Sequence, residues 1–251
     1  MKRAIFLVPL LLSLIISLPV AGSNGYSSAI APGPLGNVTI SWRVIESSEV
    51  PFSLYWSGTG KWIASADSEM LFTVTSIGDD VVGQITLGNH SWAANDTDIA
   101  NDLVLGVAGF TPFLPGFVVK NSAEDIDELT TIAEESAQRV YGNYLNGTME
   151  IYYLNLEING RMSNWVAFNY TQDPTGFGEP QKTFLAYDTA TGILMQANTS
   201  YSFGVPYSLV LEFVSISAPS GLVPIALGSA GIGIIIIVGV SLLRKRRKDR
   251  G

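Results

Sequence analysis

The chain contains one histidine, His90, and no cysteine. A thiol nucleophile, a disulfide scaffold, a zinc finger, an iron–sulfur site and a multi-histidine metal site are therefore excluded. A Ser-His-Asp hydrolase would have to run through His90. That residue lies inside Asn89-His90-Ser91, an acceptor pattern expected at the surface. Gly176-Phe177-Gly178 lacks the lysine and the following helix of a phosphate loop. Asp96, Asp98 and Asp102 offer carboxylates to a hard cation, but without the glycine and distal glutamate of a calcium loop. They are expected to be solvated acids at the start of a helix. A carboxylate pair for glycoside hydrolysis would need two of the 21 acids between residues 23 and 221, and no pattern singles out two. No catalytic residue, cofactor-binding residue or metal ligand is assigned, and no cofactor is expected.

Asparagine is the residue type whose spacing does carry a chemical signal. Asn37, Asn89, Asn95, Asn146, Asn169 and Asn198 each open an N-x-[ST] sequon, and all six lie between residues 23 and 221. Thirteen Asn occur in that region; chance would give about two sequons. The excess points to N-glycosylation and hence to an extracytoplasmic segment.

The two ends support that address. Lys2 and Arg3 precede an apolar run from Ala4 to Val20, and the small residues Ala21-Gly22 lead into a polar stretch. This is the pattern of a secretory leader over residues 1–22. Leu222 to Leu243 is an uncharged apolar stretch, and six basic side chains follow between Arg244 and Arg250. At about 1.5 Å per residue it is long enough to cross a hydrocarbon core of roughly 30 Å. The basic cluster over 244–251 would hold that end in the cytoplasm. Residues 23–221 carry six basic and 21 acidic side chains, a net of −15. Such a segment repels nucleic acid. The expected partners are membrane lipid through the span and an unknown extracellular protein, glycan or lipid.

Period-2 alternation dominates residues 23–221. Val38, Ile40, Trp42 and Val44 fall on one face of a strand. Phe52–Trp56 and Trp62–Ala66 flank Gly58-Thr59-Gly60. Met70–Ile77 and Val81–Leu87 flank Gly78-Asp79-Asp80. Met149–Ile158 and Met162–Thr171 flank Asn159-Gly160, a strong hairpin signal. Thr183–Tyr187, Ile193–Phe203 and Tyr207–Ile216 complete about nine or ten strands, mostly an antiparallel meander.

Ser122 to Gly142 breaks the alternation. Ile126, Leu129, Ala133, Ala137 and Val140 form a helical stripe, Ser122 and Asp125 form a capping box, and acids fill the first turns. A shorter helix is expected from Asn95 to about Leu105. Between the helices, Phe110 to Val119 is apolar and interrupted by Pro112, Pro115 and Gly116. It is expected to close the core of the sheet. The sharper alternative is a lip whose Phe110, Phe113 and Phe117 contact lipid or a partner.

Leu103-Val104-Leu105-Gly106, Pro115-Gly116-Phe117 and Tyr187-Asp188-Thr189-Ala190-Thr191-Gly192-Ile193-Leu194 stand within this terminal plan. Together they resemble uncharacterised archaeal single-pass cell-surface proteins over roughly residues 60–217. The resemblance implies an address at the cell surface and no particular reaction. At fold level the long meander is also similar to the curved half-barrel of lipoprotein carriers of the LolA type.

The expected architecture is α+β: one curved antiparallel sheet of about ten strands with one or two helices packed on a face, plus one C-terminal transmembrane helix. The expected function is a non-enzymatic, glycosylated, membrane-anchored surface protein with a binding or envelope-structural role. A hydrophobic-ligand carrier and a membrane-tethered glycosidase are the alternatives.

Overall fold

The computed structural model describes residues 24–34, 36–48, 51–53, 61–103, 113, 115–137, 146–158, 161–174, 176, 178–203 and 205–217. The expected leader, the expected span at 222–243 and the basic tail lie outside the described residues, as does Phe110. Among the described residues, no helix is long and apolar enough to cross a membrane.

The core of the fold is one curved nine-stranded antiparallel sheet. In chain order its strands are β1 (Val38–Ser47), β4 (Glu69–Ile77), β5 (Val81–Leu87), β6 (His90–Asn95), β7 (Gly147–Ile158), β8 (Arg161–Gln172), β9 (Lys182–Asp188), β10 (Leu194–Phe203) and β11 (Val205–Ser217). β2 (Pro51–Ser53) and β3 (Lys61–Ile63) pair separately as a small ribbon. The spatial order is β6-β5-β4-β1-β11-β10-β9-β8-β7. Two consecutive meanders are thus joined where the first strand meets the last.

Direct cross-strand partners share a face, so the register assigns the core. One row runs Ile151, Phe168, Leu185, Ala197, Leu211 and Val44 across β7, β8, β9, β10, β11 and β1. Ile40, Phe72, Ile85 and Trp92 extend the same face across β1, β4, β5 and β6. Trp42 stands between these rows, wholly buried, as the alternation of β1 predicts. The opposite face carries the polar row Gln196, Glu212, Arg43 and Glu69.

Two helices accompany the sheet. α1 (Asp96–Leu103) packs near β5 and β6, and α2 (Ala123–Ser136) near β7. The capping expectation for α2 holds: Ser122 Oγ accepts from the Asp125 amide at 3.1 Å. Ile126 and Ala133 are buried, and Leu129 packs against the core at partial exposure. The helix stops short of the expected Gly142. Ser136 Oγ donates to the Ala133 carbonyl at 2.7 Å, and the Ala137 amide turns to Glu135, so the next helical bond is not made. Val140, Arg139 and Gly142 lie outside the described residues. β6 was not expected as a strand. It alternates half-buried His90, Trp92 and Ala94 with exposed Ser91, Ala93 and Asn95, a contrast too weak in hydrophobicity to show in the sequence.

Candidate functional site

The buried face of the sheet is covered at its middle by a strap, formed by residue 113 and residues 115–119. Phe117 is 0% exposed and Phe113 4% exposed. The Phe117 ring lies 5.2 Å from Trp42 between centroids, and the Phe113 ring 4.8 Å from Phe168. Phe113 and Phe117 are therefore core residues. The surface contact with lipid or a partner that the sequence offered for them is closed to both rings, because each is spent on covering an aromatic side chain of the sheet.

Backbone and side-chain bonds tie the strap to the sheet. The Leu194 amide donates to the Phe117 carbonyl at 2.8 Å, and the Val119 amide donates to the Gly192 carbonyl at 2.8 Å. Tyr187, buried on β9, donates its hydroxyl to the Gly116 carbonyl at 2.8 Å. Asn121 Nδ2 reaches the Ala190 carbonyl at 2.8 Å. The Tyr187–Leu194 stretch, read from sequence as strand, turn and strand, is thus also the anchor of the strap. Gly192 sits at φ +72°, with an ideal Cβ only 2.0 Å from the Val119 carbonyl oxygen. Only glycine meets both demands.

On its other side the strap meets Asp96, the first residue of α1. Asp96 is 0% exposed, and its Oδ2 accepts from the Val118 amide at 3.0 Å. Its Oδ1 has no hydrogen-bond partner among the described residues. An ideal Cβ on Gly116 would stand 1.9 Å from Asp96 Oδ2, so the approach requires a glycine at that position. Burial pushes the Asp96 carboxyl well above its ordinary range and Asp80 adds to the rise, while the amides of Val118 and Phe117 oppose it. Burial, with Asp96 beside it, also raises Tyr187 well above the ordinary phenol value.

The expectation that Asp96 is a solvated acid is corrected. Local sequence marks a helix start, and at a helix start carboxylates are ordinarily exposed. Here the strap packs against the carboxyl and contributes to its burial. Asp98, next on the helix, is half-buried and accepts from Asn95 Nδ2 at 3.3 Å. The Asp102 side chain lies outside the described ones. Among the described residues, no group of three or more His, Asp or Glu is placed to hold a metal ion.

A second buried carboxyl lies on the opposite face. Glu212 is directly opposite Gln196 on β10 and Arg43 on β1. Among the described residues, Oε1 of Glu212 and Oε1 of Gln196 both lack partners. Burial lifts the Glu212 carboxyl to about 7, and Arg43 pulls it back only in part. Nothing in the sequence marked Glu212, since a lone acid in an apolar strand reads as an outward position.

The six sequon asparagines scatter over the molecule. Asn37, Asn89, Asn95 and Asn198 are exposed, and Asn146 and Asn169 are half-buried. Asn169 and Asn198 flank Phe184 on one face of neighbouring strands. Asn169 Nδ2 donates to Glu150 Oε2 at 3.3 Å.

No protein-family model matches the chain, and no curated protein matches it.

Proposed function

We propose that the chain is a non-enzymatic surface protein, anchored by a span at Leu222–Leu243 and N-glycosylated over residues 23–221, with a binding or envelope-structural role. The observation that carries this reading is the placement of the sequons. Six asparagines that the sequence picks out by pattern all fall at exposed or half-buried positions, the condition for carrying a glycan. The closed core argues in the same direction. The strap fills the aromatic centre of the buried face with Phe113 and Phe117, which speaks for a packed scaffold rather than an open ligand scoop.

The anchoring proposal fits the chain path. β11 ends at Ser217 beside Thr39 at the start of β1. Leu222 follows within five residues, so at about 3.5 Å per residue that end of the sheet stands within roughly 18 Å of the bilayer. The turns of the strand ends around Asp79, Asp80 and Ala190 would face the membrane, and those around Asn89 and Gln181 would face outward.

Protease added to intact cells tests the topology. Loss of residues 23–221 with a protected stub after Arg244 is expected; a protected β-rich domain would end the surface reading. Native mass spectrometry of the full chain separates scaffold from carrier. A bare mass is expected, and a stoichiometric lipid lost on Phe113→Asp would favour the carrier.

A further inference from the structure

The strap has two unlike fastenings. Toward the sheet it is held by neutral groups: the Leu194 amide, the Gly192 carbonyl and the Tyr187 hydroxyl. Toward α1 it is held by an acid, through the Val118 amide on Asp96 Oδ2. The acid is wholly buried, and one of its oxygens has no partner among the described residues. A buried carboxylate is tolerated when a cation or a full set of donors compensates it.

Among the described residues, the surroundings of Asp96 supply neither. From the β4–β5 turn it faces Asp80, a like charge. From β9 it faces Tyr187, whose hydrogen is committed to Gly116. Tyr26 of the N-terminal segment is also within its field. The strap contributes only the amides of Val118 and Phe117. On its own helix the nearest acid is Asp98, which binds Asn95. Among the described residues, no Lys or Arg is one of the groups acting on it. The helix start and the two amides favour the anion; burial and Asp80 oppose it.

The geometry points to a proton-operated clasp: with Asp96 neutral the strap is locked between α1 and the sheet, and ionisation of Asp96 releases the α1 side and loosens residues 115–119 over Trp42. The sign follows from linkage. A buried acid that resists ionisation binds its proton more tightly in the closed form than in the open one. Closure is then complete in acid and weakens as pH rises above the ordinary carboxyl range. Opening would bare Trp42, an aromatic surface that could take an apolar chain, so one element would set whether the face is scaffold or site. The like charge at Asp80 adds to how far closure weakens.

Hydrogen exchange of the full chain in lipid nanodiscs tests this, followed by mass spectrometry of peptides covering 115–119 and corrected for intrinsic exchange. Protection of that peptide in the native chain is expected to fall at least tenfold between pH 5 and pH 9, while peptides of β10 and β11 hold theirs. Asp96→Asn should abolish the pH dependence. Asp80→Asn removes the facing charge, favours the ionised closed form and should make the fall in protection smaller. Tyr187→Phe weakens the neutral fastening and should lower protection at every pH without changing the slope. A flat native profile, or an unchanged profile in Asp96→Asn, would overturn the clasp. If Asp96→Asn does not fold, an undiminished fall in Asp80→Asn does the same.

Discussion

Trp42 and Phe117 lie against one another, and the hydrogen bonds around them close a ring. Trp42 Nε1 donates to the Leu194 carbonyl at 2.7 Å, and the Leu194 amide donates to the Phe117 carbonyl at 2.8 Å. The ring centroids are 5.2 Å apart. Strand β1, strand β10 and the strap are thereby fixed to each other at one point. A buried indole satisfied by a backbone carbonyl costs little, and its aromatic surface is covered on the open side by the strap.

Phe117→Ala should be among the most damaging single changes. It removes a wholly buried ring from Trp42 and leaves a cavity that the flanking backbone bonds prevent from collapsing. A loss of about 3–5 kcal/mol is expected. Thermal melting of the full chain in detergent checks it; a change below about 1 kcal/mol would mean that the strap carries no packing load.

Gly116→Ala should destabilise through one neighbour. The new methyl would overlap Asp96 Oδ2, because the ideal position is 1.9 Å away. A cost of about 1–3 kcal/mol is expected. Combined with Asp96→Ala, the clash partner is gone, and the double variant should fall short of the summed losses by at least about 0.5 kcal/mol. Strict additivity in a double-mutant cycle would contradict the close approach.

Glu212 should give stability a pH dependence of fixed sign. Its carboxyl titrates near 7 in the folded chain against an ordinary value of 4.5. Between those values the folded chain retains a proton that the unfolded chain has released. Stability from this group is therefore full below about 4.5 and declines as pH rises to about 7. Denaturant melts at pH 4, 6 and 8 should show the decline, and Glu212→Gln should lessen it, with the part due to Asp96 remaining. A rise in stability over that range would mean that Arg43 dominates.

The glycan proposal makes a graded expectation. Replacing all six sequon asparagines by Gln should raise gel mobility of the protein from its native host. Single changes at the exposed Asn37, Asn89 and Asn198 should each leave folding within about 0.5 kcal/mol. Asn169→Gln alters a side chain that binds Glu150 and should cost more. An unchanged band for the six-fold variant would show the sequons to be unused.

Local sequence determined a good deal here. The alternation of Val38, Ile40, Trp42 and Val44 specified both β1 and its buried face, since a period of two leaves no other face to bury. The hairpin at Gly78-Asp79-Asp80 and the Ser122 cap were also legible, because each is closed by bonds within a few residues. What no window could show is that β1 pairs with β11, a strand more than 150 residues later. That choice depends on where two meanders end, not on either strand's composition. The burial of Asp96 was equally hidden. Its neighbours describe a helix start and nothing more, while the group that covers it arrives from Gly116 and Val118, some 20 residues on. An acid's charge state is set by what excludes water from it, and that belongs to tertiary structure alone.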